Sequence, residues 1–237
     1  MLEGNNLLAA LRPPDLAAVE PFLTAVAFDQ ASVLFEAGEH VEHAFFPRWS
    51  AVAGFTAMVE EGIAVETAMV GSEGAIGGIV SNGRLPAYSR CSVLHPGSFY
   101  RIPLKELEAL KQNSAELRYL FNRYADCLMA QVFQSVACNA THSIEQRAAK
   151  WLSATIARTG LNYVGMTQEQ IATMMGIGRS YASRVLQRLK ADGLLRTRRG
   201  GIEVLDPERL AARACTCNQR IDRHFQTVLG GVYADAA

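Results

Sequence analysis

Residues 166–193 have the sequence MTQEQIATMMGIGRSYASRVLQRLKADG. Thr167 and Gln170 have the spacing of a capping box, which predicts a helix that begins directly after Thr167. The glycines in residues 176–178 favour a tight turn, and residues 179–191 have the pattern of a second, amphipathic helix. Two helices joined by so short a turn indicate a helix-turn-helix.

The second predicted helix has an apolar inner face and a polar outer face. The inner face consists of Ala182, Val185, Leu186 and Leu189. The outer face consists of Arg179, Ser180, Ser183, Arg184 and Gln187. Since the second helix of a helix-turn-helix enters the major groove of DNA, we expect the outer face to be the one that contacts DNA.

A hairpin follows the two helices. Residues 194–199 and 202–205 predict short strands around Gly200-Gly201, a glycine pair suited to a tight turn. Its basic side chains are Arg196, Arg198 and Arg199. Glu203 is the one acidic side chain that the hairpin sequence sets against them, so we interpret the hairpin as a basic wing beside the helix-turn-helix.

Positive charge is concentrated in this half of the chain. The 237 residues contain 23 Lys and Arg and 23 Asp and Glu. Residues 1–145 contain 9 basic and 16 acidic side chains, whereas residues 146–237 contain 14 and 7. With 49% hydrophobic residues, the composition is that of a globular protein of one or two domains and excludes disordered and collagen-like chains. The asymmetry predicts that the C-terminal half meets a polyanion.

A long helix is predicted upstream of the basic half. Residues 104–158 contain neither glycine nor proline, and apolar residues recur at spacings of three and four from 117 to 139. This repeat predicts about seven turns, or roughly 40 Å. Ser143 and Gln146 form a second capping box, so we expect the long helix to end near residues 139–142.

The long helix has two interpretations. Either it packs along the β domain of its own chain, or it pairs with the same helix of a second chain. We favour the second interpretation, a dimer. The predicted dimer interface consists of Leu117, Phe121, Tyr124, Leu128, Gln131 and Ser135. In such a pair Gln131 and Gln134 would be buried, and they would fix the register of the two helices.

The N-terminal part of the chain has the pattern of an all-β sandwich or barrel. Short apolar or alternating runs are separated by glycines between residues 22 and 103, and a few helical turns precede them. The predicted strands are residues 32–35, 44–46, 52–59, 64–70, 90–94 and 98–102. We therefore predict an α+β chain with three parts: a β domain at 1–105, a dimerisation helix at 106–140 and a winged helix-turn-helix at 141–237.

Location and cysteine use are constrained by the sequence as well. Glu3 stands where a signal peptide needs a base, and no run of residues is apolar enough for lipid, so we expect a cytoplasmic protein with no membrane partner. The five cysteines include no CxxC pair, and no metal site is predicted. Cys215 and Cys217, followed by His224, leave a redox pair or a partial metal site open, but we favour ordinary helix cysteines.

The sequence resembles the Crp/Fnr family of regulators, the cyclic-AMP receptor and fumarate-nitrate reductase regulator family. The resemblance rests on GSEGAIG at 71–77, on the long helix that ends near Asn139, on TQEQIA at 167–172 and on GIGRSYASRVL at 176–186. It covers nearly the whole chain. It implies that residues 1–105 form an antiparallel β-roll sensor domain, a cyclic-nucleotide-binding-like, cupin-like jelly roll, followed by a dimerisation helix and a winged helix-turn-helix. It also implies a homodimer that binds palindromic double-stranded DNA, contacts RNA polymerase and is not an enzyme.

The resemblance also implies which side chains contact DNA. The base-reading residues are Arg179, Ser180 and Arg184. The phosphate-binding residues are Thr167, Gln168, Gly178, Tyr181, Ser183, Arg196, Arg198 and Arg199. Arginine pairs with guanine O6 and N7 in the major groove. Ser180 stands where the family often has glutamate, so the half-site should differ from that of the cyclic-AMP receptor.

The sensor departs from the relatives that bind cyclic nucleotides. Those relatives have Gly-Glu-Leu and, further along, Arg-Ser or Arg-Thr, whereas here Gly77 is followed by Gly78-Ile79. We therefore do not expect cyclic-AMP dependence. The candidate effector-binding residues, for an effector of unknown type, are Gly71, Glu73, Gly77, Arg84 and Arg90.

Other cofactors are disfavoured, and none is predicted. An iron–sulfur sensor of this family needs cysteines near the N-terminus, and the first cysteine is Cys91. A haem or redox sensor on the β-roll, or a cupin-like metalloenzyme, remains the alternative function. The haem candidates are His40, His43 and His95, with Cys91 close to His95. The cupin candidates are His40 and His43 with Glu39 or Glu42, but there is no His-x-His pair.

Overall fold

A computed structural model describes residues 2–60 and 63–230 of the chain. The fold is α+β, as predicted, with an N-terminal antiparallel β region, a long helix and a C-terminal helix-turn-helix. The N-terminal region contains α1 (Asn6–Ala9), α2 (Pro13–Val19), a 3-10 turn (Glu20–Phe22), β1 (Thr24–Phe28), β2 (Val33–Phe35), β3 (His43–Pro47), β4 (Val52–Glu60), β5 (Ile63–Val70), β6 (Arg90–His95) and β7 (Gly97–Pro103).

The strands of this region form a sandwich. Strands β1, β7 and β3 form a sheet in that order, and β2, β6, β4 and β5 form a second sheet, with antiparallel pairing throughout. Between the sheets lies an apolar core that includes Phe45, Cys91, Val93 and Phe99. All six predicted strands are confirmed. Strand β1 was not predicted, because it is a half-exposed edge strand whose short sequence has no strong alternation of apolar and polar residues.

Three helices connect the sandwich to the C-terminal region: α3 (Leu104–Asn113), α4 (Ala115–Thr141) and α5 (Ile144–Thr159). Helix α4 has 27 residues and begins at Ser114, whose hydroxyl accepts a hydrogen bond from the Leu117 amide. Its end and the capping box at the start of α5 are confirmed. Gly160, with φ 67°, ends α5 in the left-handed conformation.

Helix α4 packs along its own β-sandwich, which corrects the predicted dimer interface. Leu117, Phe121 and Tyr124 are buried in a core shared with α1, α2, α3 and the β-sandwich. Gln131 is buried too, and its Nε2 donates to the Met69 carbonyl oxygen at 3.1 Å. Leu128 packs against the core between the sheets, and Ser135 lines a cavity within the chain. The apolar stripe marked the buried face of the helix correctly, but periodicity alone does not show what covers that face.

The C-terminal region is a winged helix-turn-helix followed by two helices. It contains β8 (Tyr163–Val164), α6 (Gln168–Met174), α7 (Arg179–Ala191), β9 (Leu195–Arg198), β10 (Gly201–Val204), α8 (Pro207–Arg213) and α9 (Cys217–Leu229). The predicted helix pair and hairpin are confirmed. Strand β8 adds to the wing sheet in the order β8, β10, β9. Helix α9 returns to α4, where Phe225 meets Tyr124 edge to face.

The winged helix-turn-helix also packs on the sandwich. Val52 of β4 and Met69 of β5 belong to the same apolar core as Trp151, Leu152 and Leu186. The backbones of Val65 and Met175 form a β-bridge between β5 and the end of α6. The two halves of the chain are therefore joined by a common core as well as by α4.

Candidate nucleic-acid interface

The helix-turn-helix is held by caps and by a buried inner face. The Gln170 amide donates to Thr167 Oγ1 at 3.2 Å, and the Thr167 amide donates to Gln170 Oε1 at 2.8 Å. Gly176 has φ 63°, which lets the chain turn sharply before α7. The inner face of α7 is buried: Ala182, Val185, Leu186 and Leu189. This packing fixes the direction in which the outer face points.

The outer face of α7 is exposed as predicted. Arg179, Ser180 and Arg184 are open to solvent, and Ser183 is half-buried. The Arg184 guanidinium lies 5.5 Å from the ring centroid of Tyr181, a cation–π distance. Arg179 Nη1 lies 3.9 Å from Glu169 Oε2, with both side chains mostly exposed. Such a surface pair is weak, so Arg179 can leave it for another anion.

The wing carries a cluster of charges around one carboxylate. Arg196 Nε and Nη2 donate to Glu203 at 2.7 and 3.0 Å, and Arg198 Nε donates to it at 2.5 Å. The hydrogen bonds from Arg196 and Arg198 lower the pKa of Glu203 to about 2. Glu203 is therefore ionised at neutral pH and offsets part of the charge of the wing. Arg199 is exposed at the hairpin turn.

The remaining phosphate candidates lie at the starts of the two helices. Thr167 is the N-cap of α6 and Gln168 its first residue, whereas Gly178 is the N-cap of α7. The first backbone amides of a helix point away from it without intrahelical partners, and they favour nearby anions. The structure thus brings the predicted DNA-contacting residues of α6 and α7 to one exposed region of the helix-turn-helix.

The predicted effector residues differ in their contacts within the chain. Glu73 Oε2 accepts from the Gly71 amide at 3.1 Å, and Glu73 Oε1 accepts from Arg158 Nε at 2.7 Å. Gly77 has φ 95°, and a Cβ there would lie 2.5 Å from the His43 carbonyl oxygen. The glycine-rich loop therefore closes a turn and holds α5, which are structural roles.

The two arginines of that set form surface ion pairs. Arg84 pairs with Glu42 at 3.9 Å, and Arg90 pairs with Glu36 at 3.5 Å. These side chains are about half exposed or more. Arg84 also lines a cavity of about 480 Å³ together with Glu42 and His43. A shared effector site for the five residues stays a prediction.

Four of the haem and cupin candidates line one cavity of the sandwich: Glu39, His40, Glu42 and His43. The metal-ligand candidates of the sandwich are Glu39, His40, Glu42, His43 and His95. In the part of the chain that the structure describes, no three of them place their ligand atoms close together. The His40 backbone forms a bridge with Pro86, and burial lowers the pKa of His43. Cys91 is fully buried between the sheets.

Only part of a cysteine cluster could be predicted from the sequence. Cys215 and Cys217 lie beside Cys138 and His142, which are far away along the chain. His224, which the sequence had grouped with the two cysteines, instead lies 3.3 Å from Asp126. Residue spacing does not reveal a set assembled from the end of α4 and the loop between α8 and α9.

Contacts between the sandwich and α5 were not predicted either. Trp151 Nε1 donates to Glu66 Oε1 at 2.8 Å, and both side chains line a cavity of about 320 Å³ bounded by α4, α5, α9 and β5. An isolated tryptophan on an apolar helix face gives no sign that its ring nitrogen meets a buried carboxyl. Sequence reasoning therefore missed the link between the domains.

The fold defines the class of the domain: it is a winged helix-turn-helix whose second helix has an exposed basic face. The family model of the Crp-like helix-turn-helix domain matches residues 146–213. The search of curated protein sequences found no significant match. No helix in residues 2–60 and 63–230 has the length and apolar character needed to cross a membrane.

Solved structures show the same architecture over most of the chain. A Crp/Fnr-family transcriptional regulator from Eubacterium rectale is 16% identical, with a TM-score of 0.69 over 87% of this chain and 96% of that one. FixK2 from Bradyrhizobium japonicum is 14% identical, with a TM-score of 0.66 over 81% and 98%. The c-di-GMP-responsive regulator CLP from Xanthomonas campestris is also 14% identical, with a TM-score of 0.66 over 81% and 99%. The chain carries a Crp-like helix-turn-helix domain and has the fold of Crp/Fnr-family regulators, which confirms the resemblance seen in its sequence.

Proposed function

We propose that the protein is a homodimeric transcription regulator that recognises a two-fold-symmetric DNA site through α7. The observation that carries this proposal is the orientation of α7. One face of the helix is buried in the domain core, and the opposite face presents Arg179, Ser180 and Arg184 to solvent. In this geometry the N-terminal turns of α7 enter the major groove.

The two kinds of arginine have different roles in the proposal. Arg179 and Arg184 read bases, because a guanidinium bonds guanine O6 and N7 together and discriminates against other bases by about 1–3 kcal/mol. Arg196, Arg198 and Arg199 of the wing bind phosphates, as do the polar groups at the starts of α6 and α7. Phosphate contacts set the affinity and the position of the protein on the duplex, whereas base contacts set the sequence.

The dimer is proposed to form on a face of α4 different from the predicted one. Met129, Phe133 and Val136 are 49%, 66% and 65% exposed and follow each other at helical spacings of four and three. They form an apolar stripe opposite the face that is buried against the sandwich. Pairing of this stripe with its twin gives two-fold symmetry, and half-sites one helical turn apart, roughly 10 base pairs, follow from it.

The proposal includes a sensor that does not depend on cyclic AMP. Glu73 of the glycine-rich loop is engaged by Arg158, and no cyclic-nucleotide motif follows Gly77. As a regulator, the protein is also proposed to contact RNA polymerase, to lie in the cytoplasm and to have no enzymatic activity.

Selection from a pool of random DNA duplexes tests the proposal. Purified protein should enrich a palindrome with two equivalent half-sites, in parallel selections with and without cyclic AMP and with and without reductant. The double variant Arg179→Ala/Arg184→Ala should keep the fold, because both side chains are exposed, and should lose the enrichment. No enriched sequence, or an asymmetric site bound by one chain, would contradict the proposal.

A further inference from the structure

Three thiols and an imidazole meet where α4 ends. Cys138 lies in the last turn of α4, and His142 is the residue that ends the helix. Cys215 and Cys217 lie in the loop before α9 and at its first residue. One ligand atom from each of the four residues lies within 4.8 Å of all the others.

The separations match those around a single tetrahedral metal ion. With a Zn–S bond of about 2.3 Å and a Zn–N bond of about 2.0–2.1 Å, tetrahedral angles place two sulfurs about 3.8 Å apart and a sulfur and a nitrogen about 3.5 Å apart. Here Cys138 Sγ and Cys215 Sγ are 3.6 Å apart, and Cys217 Sγ and His142 Nδ1 are also 3.6 Å apart. Four ligands so close together leave room for one ion but not for a cluster of several.

The surroundings suit a site with excess negative charge. Three thiolates and a divalent ion have a net charge of −1. Lys150 and Arg147 lie near enough to interact electrostatically with Cys138, and Arg147 also interacts with Cys215. Gln134 Nε2 donates to Cys217 Sγ at 3.2 Å. Hydrogen bonds of this kind, from residues that do not bind the metal themselves, orient the ligands of metal sites.

The position of the cluster gives it a structural consequence. Its ligands come from two places separated by the whole winged helix-turn-helix, residues 144–213. The three cysteines are buried and make up an apolar cluster of their own, separate from the three larger cores. A bound ion would fasten the loop between α8 and α9 to the junction where α4 passes into α5.

We propose that Cys138, His142, Cys215 and Cys217 bind one Zn²⁺ ion per chain, which holds the C-terminal helices against the end of α4. The donor set of three sulfurs and one nitrogen is typical of closed structural zinc sites. A disulfide between Cys138 and Cys215 would involve two of the four groups and would not explain why His142 and Cys217 lie beside them. The site is independent of DNA binding, so it can fail or hold separately from the proposed regulator function.

Metal analysis of the full-length protein, purified under reducing conditions, tests the proposal. The protein should contain one equivalent of zinc per chain, or take it up when one equivalent is added. Cobalt(II) in place of zinc should give the intense ligand-field and thiolate charge-transfer absorption of a tetrahedral thiolate site. Cys138→Ser, Cys215→Ser, Cys217→Ser and His142→Ala should each lose the stoichiometric metal and this spectrum.

Matched controls separate the site from other thiols and histidines. Cys91→Ser and Cys127→Ser change buried cysteines of the N-terminal cores, and His224→Ala changes the histidine that faces Asp126. All three should keep one metal per chain. Gln134→Ala should keep the site but weaken zinc binding by about 10–100-fold, the effect typical of an outer-shell group.

A second measurement covers variants that fail to fold. In the unaltered protein, zinc should protect three thiols from alkylation, and a strong chelator should expose Cys138, Cys215 and Cys217 together. Iron with acid-labile sulfide, a Cys138–Cys215 disulfide in the reduced preparation, or zinc that remains in Cys138→Ser and Cys217→Ser would overturn the proposal. Failure of the reduced protein to bind zinc or cobalt would overturn it as well.

Discussion

Trp151 Nε1 donates a 2.8 Å hydrogen bond to Glu66 Oε1 and thereby joins α5 to β5. The other carboxyl oxygen, Glu66 Oε2, is buried and has no hydrogen-bond partner among the described residues. Burial raises the pKa of Glu66 from 4.5 to about 8, although the Trp151 hydrogen bond and the charges of Lys150 and Arg158 oppose the shift. A protonated carboxyl therefore lies at the contact between the sandwich and the DNA-binding half at neutral pH.

We expect the stability of the protein to fall as pH rises toward 8. The folded chain keeps the Glu66 proton up to about pH 8, whereas the unfolded chain releases it near 4.5. The folded state therefore binds more protons across this interval, and the free energy of unfolding decreases with increasing pH until it levels off above the folded pKa. Urea unfolding at a series of pH values measures this slope.

Glu66→Gln is the matched control for this prediction. Glutamine keeps the oxygen that accepts from Trp151 but has no proton to release, so the slope between pH 4.5 and about 8 should become smaller. An equally steep slope in the variant would show that another group causes it.

The Arg158–Glu73 ion pair is expected to stabilise the same contact. Its atoms are 2.7 Å apart, and the side chains are only 17% and 23% exposed. Removing one partner leaves a charge in poorly solvated surroundings, so Arg158→Gln should destabilise the protein by about 3 kcal/mol, the low end for a broken buried pair. Chemical denaturation measures the change. A double-mutant cycle with Glu73→Gln should give a coupling energy clearly above zero, and additive effects would contradict the role of the pair.

Local signals in the sequence predicted most of the elements, but contacts between distant segments could not be read from it. The caps at Thr167 and Ser143 and the turn glycines act over three or four residues, so the helix-turn-helix and the helix ends were predicted almost to the residue. The buried face of α4 was predicted too, but its neighbour was assigned wrongly. The meeting of Trp151 with Glu66, or of Cys138 with Cys215, depends on how distant elements pack, and no periodicity in the sequence encodes it.

Arg184→Ala is expected to relax base preference at one position of each half-site. Arg184 is exposed on the outer face of α7, so the change should leave the fold intact, and the loss of a bidentate guanine contact should cost about 1–3 kcal/mol at that position. Competition binding with a set of single-base variants of the selected site measures this. Arg199→Ala, on the wing, is the control and should weaken binding to all duplexes alike. Equal loss on specific and random DNA for Arg184→Ala would remove its reading role.

Glu203→Gln is expected to strengthen DNA binding without changing its specificity. Glu203 accepts hydrogen bonds from Arg196 and Arg198 and is ionised, so its removal frees both guanidinium groups for phosphates. Binding to random duplexes should tighten, and the dependence of affinity on salt should become steeper because more counterions are released. Titrations at several salt concentrations measure both effects. Glu208→Gln, an exposed acid on α8, removes the same charge outside the wing and should have a smaller effect.

Phe133→Glu is expected to convert a dimer into monomers. Phe133 is 66% exposed at the centre of the stripe formed with Met129 and Val136, so the change should leave the chain's own core intact. In a two-fold pair each chain would bury a carboxylate against the same residue of its partner, which should weaken association by about 3 kcal/mol, or more than 100-fold. Sedimentation at micromolar concentration measures the mass. Tyr88→Glu places the same charge at a residue that is 93% exposed on the sandwich and should leave the dimer unchanged. If Phe133→Glu sediments like the unaltered dimer, the two chains do not meet at this stripe of α4.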